Sequence, residues 1–155
     1  MGYVVTGSPL KPFVDAVKAR LDADALQVVA LLGAAGKITG HIDAEAALEL
    51  PYIVLGRRSR TGDAGAMQLP GSMVSLQIDV FSAHKGPSEA SRIQAWIATR
   101  LNRSTMLAVA GFDVVQGSLT IELEEVFDEP DSDMPDRGLI YHGVQRLVAE
   151  IHEAS

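Results

Sequence analysis

The sequence predicts an α+β domain, a mostly antiparallel β-sheet with two main helices packed on one face. Three observations carry this expectation. Val14, Val17, Leu21, Ala25, Val28 and Leu32 recur at three- and four-residue steps, the stripe of an amphipathic helix. Val74, Leu76, Ile78 and Val80 alternate with Ser75, Gln77, Asp79 and Phe81, the period of a half-buried strand. A second helical stripe follows, then two more alternating stretches at 112–126 and 139–151. The order helix, strands, helix, strands points to helices gathered on one side of an antiparallel sheet. At 155 residues and 47% hydrophobic content, one domain spanning 1–155 buries its own core.

Pro12 stands in the first turn of the first helix, where a missing N–H is harmless. Asp22 and Asp24 divide the stripe, with Asp24 as cap of a second segment. Gly33-Ala-Ala-Gly36 ends it. "KITGHI" is a short strand, and "PYIVLG", residues 51–56, is a β-rich apolar run held between proline and glycine. Residues 56–72, "GRRSRTGDAGAMQLPGS", show no periodicity and read as a long loop.

After the strand at 74–81, Pro87 takes a first-turn position, and Glu89 faces the positive end of a helix. Ala90, Ile93, Ile97 and Leu101 form that helix's buried stripe, flanked by Trp96. In the next alternation Leu119, Ile121 and Leu123 share one face, while Ser118, Thr120, Glu122 and Glu124 share the other. A second long loop, 127–138, precedes the last strand.

Composition narrows the function. A net charge of −7 gives no overall attraction to nucleic acid or to anionic lipid. The absence of cysteine excludes disulfides, thiolate nucleophiles and cysteine-based zinc sites. No signal-peptide pattern opens the chain, and no run approaches the ~20 apolar residues of a membrane span. The chain reads as a soluble product made inside the cell.

Asp79, Ser82 and His84 lie close enough in sequence to invite a nucleophilic triad. Strand alternation, however, sends Asp79 and Ser82 to opposite faces, and no G-x-S-x-G elbow surrounds the serine. His41, His84, His142 and His152 lack metal-binding spacing. Asp128, Glu129, Asp131, Asp133 and Asp136 miss the calcium-loop pattern, because Pro130 and Pro135 interrupt it and Gly138 comes too late. No catalytic, metal-binding or cofactor-binding residue is assigned, and no cofactor is expected. Arg57, Arg58 and Arg60 form the one basic cluster. They are either an arm for an acidic surface or a phosphate, or the solubilising charge of a loop.

Several stretches, in order, resemble the tail-terminator (tail-completion) family of long-tailed bacteriophages and gene-transfer particles. "LDADALQVVALLG" is similar to the family's N-terminal helical region, followed by the strand "GKITGHI". "LPYIVLG" resembles its Pro-Tyr strand. "SLQIDVFSAHKGPSEASRIQAWIATRL" resembles its central strand–turn–helix block, with Phe81 where the family more often has Trp or Tyr. "GLIYHGVQRLVAEI" stands where it places a last strand, so the resemblance runs from Pro12 to Ile151.

The resemblance implies a structural virion protein, not an enzyme. It implies a homo-oligomeric ring, a hexamer, at the head-proximal end of the tail, assembled in the host bacterial cytoplasm. The ring would end tube polymerisation and present the head–tail joining surface. Its partners would be further copies of itself, the tail tube protein and a head-completion or neck protein. DNA would pass through the lumen without specific binding. Arg57, Arg58 and Arg60 are then interface candidates. Asp128, Glu129, Asp131, Asp133 and Asp136 are candidates for the lumen or for a neighbouring ring, since a DNA channel should repel phosphate. The rivals are another neck, adaptor or tail-tube protein of the same particle and, from a different class, a small hydrolase or metal enzyme using His84 or His142.

Overall fold

Helix α1 (Leu10–Asp22) buries Phe13, Val14, Ala16, Val17 and Leu21. Its first-turn proline is accommodated because Phe13 is the first residue whose N–H reaches back to a carbonyl, that of Pro9 at 2.9 Å. These coordinates are a computed structural model, which describes residues 8–40, 49–62, 71–82, 87–130 and 139–154. The expected break falls at Ala23–Asp24, and helix α2 (Ala25–Leu32) follows. Val28 and Leu32 remain buried, but Ala25 is exposed because the break resets the helical phase. Gly33 ends α2 with φ of 84°, the left-handed conformation that glycine adopts without strain.

Strand β1 is reduced to Ile38–Thr39 and lies parallel to β2 (Tyr52–Gly62), the one parallel pairing among the described strands. Strand β3 (Gly71–Ser82) pairs antiparallel with β2, and β6 (Leu139–Glu153) is the central strand. One edge of β6 carries β3. The other carries β4 (Phe112–Val114) and β5 (Thr120–Pro130) end to end. Helix α3 (Ser88–Arg100) rests on β3, β5 and β6, while α1 rests on β1 and β2 and touches α2 and α3. The helices therefore share one face of the sheet, as the sequence implies, with the first expected helix divided in two.

The even-numbered residues of β3, Val74 to Val80, join Leu147, Ala149 and Ile151 of β6 beneath the helices. Ala90, Ile93, Ile97 and Leu101 press on them from above, each no more than 1% exposed. Burial of this kind supplies the fold's main driving force, about 25 cal/mol per Å² of apolar surface.

Three expectations need correction. Residues 56–72 are not one loop. β2 continues to Gly62 and β3 begins at Gly71, leaving 63–70 outside the described residues. The strand was hidden because its second half carries Arg57, Arg58, Ser59, Arg60 and Thr61, and a bulge between Leu55 and Arg58 disrupts the alternation. Likewise β5 extends to Pro130, so the second loop is shorter than 127–138.

The alternation at 112–126 is two strands, divided by a turn at Gly117 (φ 81°). A bulge between Ile121 and Leu123 also moves Leu123 to the other face. Ile121 pairs with core-facing Leu147, whereas Leu123 pairs with Arg146 and stays 38% exposed. Glu124, opposite Gln145, turns to the helix side instead.

Candidate functional site

Asp79 and Ser82 occupy opposite faces of β3. Ser82 is fully buried on the helix side, where its hydroxyl donates to Glu89 in the first turn of α3. The contact ties the strand end to the helix start. Asp79 faces away from the helices, with its Oδ1 2.7 Å from His142 Nε2 and accepting from Gln77 Nε2 at 3.0 Å. The backbone leaves room for it at Gly56, where a Cβ would lie 2.7 Å from Asp79 Oδ2. The triad is thus not brought together, and His84 and His41 lie outside the described residues. Among the described residues no group of three His, Asp or Glu side chains is placed to hold a metal ion.

The Asp79–His142 pair went unforeseen because its partners are 63 positions apart, joined only by the β3–β6 register. It belongs to a larger structure on the helix-free face. Tyr52, Phe81, His142 and Phe127 come from four strands in direct cross-strand register and form one row. Phe81 stacks on Tyr52 and on His142 at centroid distances of 5.1 and 4.3 Å, and Phe127 tilts against His142 at 4.8 Å. Such pairs, each adding some tenths of a kcal/mol up to about 1, fasten strands together.

On the helix side the row's counterpart is polar. Gln94 of α3 donates to the Glu125 carbonyl at 3.0 Å, and Gln145 donates to the Gln94 carbonyl at 3.1 Å and to Glu124 Oε1 at 2.7 Å. Gly143 lets Gln94 this close, since a Cβ there would sit 2.5 Å from its Nε2. These groups are engaged in holding α3 to the sheet.

The arginine cluster divides. Arg58 is half-buried and turned inward on its own chain, its Nη2 donating to the carbonyls of Gly40 and Leu55 at 2.8 and 2.9 Å. Arg60 is exposed and donates to Ser72 Oγ at 2.8 Å. Arg57, exposed in the bulge, has no side-chain hydrogen bond to the described residues. All three are on β2, not in a loop. Of the acidic candidates, Asp128 is exposed on β5 and Glu129 is on the same strand, while Asp131, Asp133 and Asp136 lie outside the described residues. Two further carboxylates are exposed on β5, Glu122, which the alternation assigns to the ordinary polar face of a strand, and Glu125, which no sequence pattern singles out.

What remains is a sheet with charged edges, whose interior polar side chains serve mainly to join its elements. Gln145 Oε1 and Arg100 Nε, however, are buried without a hydrogen-bond partner among the described residues. The model of one protein family, described as "Tail completion protein gp17", matches residues 14–149. The chain belongs to this tail-completion family. Among solved structures, it is similar to a chain of a native gene transfer agent particle virion, at 19% identity and a TM-score of 0.71, covering 97% of this chain and 99% of that one. At that identity the likeness establishes a shared fold. No curated protein matches by sequence. As a tail-completion protein the chain is a structural component of a virion. Among its described residues, no helix is long and apolar enough to cross a membrane.

Proposed function

We propose that this tail-completion protein forms a ring, a hexamer, on the head-proximal end of the tail tube. There it stops tube polymerisation and presents the surface to which a head-completion or neck protein binds. The observation that carries the reading is the family match across residues 14–149. The contacts of Asp79 with His142 and of Ser82 with Glu89 suit a structural part, because they tie β3 to β6 and to α3. Packaged DNA passes through the lumen without specific binding, and the acidic segment 128–136 faces that lumen or the adjoining ring, where it repels phosphate.

Electron microscopy of particles made without this protein tests the reading. Loss of a terminator gives overlong tubes. Normal-length tails without heads would show instead that the protein is an adaptor of the neck, and absence of tubes would make it a tube component.

A further inference from the structure

Two strand edges have no partner among the described residues. Beyond Val54, where its pairing with β1 ends, β2 exposes residues 55–62. On the far side of the sheet β5 pairs only with β6. Unpaired edges invite association, and proteins commonly blunt them with charge and with bulges. Both edges here carry a bulge, but their charges are opposite. β2 bears Arg57, Arg58 and Arg60 and no acidic residue, whereas β5 bears Glu122, Glu124, Glu125, Asp128 and Glu129 and no basic one.

That division repels like edges and attracts unlike ones. Two β2 edges, or two β5 edges, bring like charges together, while β2 against β5 brings arginines to carboxylates. Strand direction agrees. Since β2–β3, β3–β6 and β6–β5 are all antiparallel, β2 and β5 run in opposite directions on opposite edges. A neighbour rotated about an axis along the strands therefore sets its β2 antiparallel to this copy's β5, with all helices on the same side of the extended sheet.

We propose that successive copies of this chain join edge to edge, the arginine-bearing edge of β2 in one copy against the glutamate-bearing edge of β5 in the next. The occupant of each edge is a second copy, and the contact is heterologous, so repetition closes into a ring when the rotation closes. The inference rests on the ring reading and names its subunit contact. Arg58 serves mainly its own chain through Gly40 and Leu55, and Glu124 through Gln145, so Arg57 on one side and Glu122 and Glu125 on the other make the joint. Arg60, which donates to Ser72 on the helix side, adds to the positive charge of the β2 edge. Arg103, whose Nε donates to Thr120 Oγ1 at 3.3 Å, occupies the start of β5 and leaves the contact to begin at Glu122.

Two charge-reversed forms of the full chain test this, Arg57→Glu with Arg60→Glu and Glu122→Lys with Glu125→Lys, measured by native mass spectrometry alone and on isolated tail tubes. Each form by itself should lose assembly at least tenfold relative to wild type. An equimolar mixture should restore it as rings of alternating subunits, because each form supplies the edge that the other lacks. Either form assembling like wild type, or a mixture that stays apart, overturns the edge contact and leaves the ring standing. Wild-type protein that is monomeric both in solution and on tubes defeats the ring reading itself, and the contact with it. If a reversed form loses its circular dichroism spectrum, Arg57→Gln with Arg60→Gln replaces it. Weaker assembly by that milder form supports the contact, and unchanged assembly opposes it.

Discussion

The indole Nε1 of Trp96 donates a 2.9 Å hydrogen bond to the carboxylate Oδ2 of Asp24, joining the middle of α3 to the point where α1 gives way to α2. Asp24 stands at the N-cap position of α2, yet its side chain makes no capping hydrogen bond. The carboxylate is turned toward another helix instead. A second tie crosses the same helix pair, Arg100 Nη2 donating to the Arg20 carbonyl at 2.9 Å and Arg20 Nε to the Arg100 carbonyl at 3.1 Å. The ends of the helical layer are thus held by polar contacts, while its centre is held by Phe13, Val17, Ile93 and Ile97 against the sheet.

Trp96→Phe should lower unfolding stability by about 1–2 kcal/mol, because it removes the donor and leaves the Asp24 carboxylate with one partner fewer. Asp24→Asn, which keeps an acceptor oxygen, should lose less. Urea denaturation of the two variants checks the order. Equal losses would show that the bond contributes nothing beyond packing.

Gly143→Ala should destabilise by about 1–3 kcal/mol, since the new methyl meets Gln94 Nε2 at 2.5 Å. The same substitution in a Gln94→Ala background should lose markedly less, an interaction of about 1 kcal/mol or more in a double-mutant cycle. Additive losses would mean that α3 is not seated through this contact.

Much of this architecture was legible where one physical signal dominated. Burial on one face dictated the alternation of β3 and the stripe of α3, and both stand nearly at their expected bounds. The signal failed where neither face of a strand is fully covered. The second half of β2 is polar because it is an edge, so hydrophobic periodicity had nothing to report at Arg57–Arg60. The bulge beside Glu122 then reversed the faces of Leu123 and Glu124, which no pattern of residue types encodes. The candidate surface was partly visible as an arginine cluster and an acidic run. Their placement on opposite edges depends on pairings such as Arg60 with Val74 and Glu125 with Val144, over separations that sequence order does not reveal.

Ser82→Ala and Asp79→Ala should affect stability, not chemistry. Ser82→Ala removes the donor to Glu89, and Asp79→Ala removes the acceptor shared by His142 and Gln77. Each should lower the unfolding free energy by about 1–3 kcal/mol. Particles made with either variant should still complete their tails at temperatures well below the lowered melting point. Loss of completion by a variant that is fully folded at the assay temperature would assign these residues a direct role.

Arg57 and Arg58 are adjacent in sequence yet should respond to substitution in different measurements. Arg58 Nη2 bridges the carbonyls of Gly40 and Leu55, so Arg58→Ala releases the end of β1 from β2 and should lower stability by about 1–2 kcal/mol. Arg57 is exposed and makes no side-chain hydrogen bond to the described residues, so Arg57→Ala should leave the denaturation midpoint unchanged. Its effect should appear instead as weaker subunit assembly, with a smaller loss on raising salt than wild type shows, because one screened charge contact is gone. Denaturation and sedimentation of both variants at two ionic strengths separate the roles. A stability loss at Arg57, or an assembly loss at Arg58 larger than its stability loss explains, would reverse the assignment.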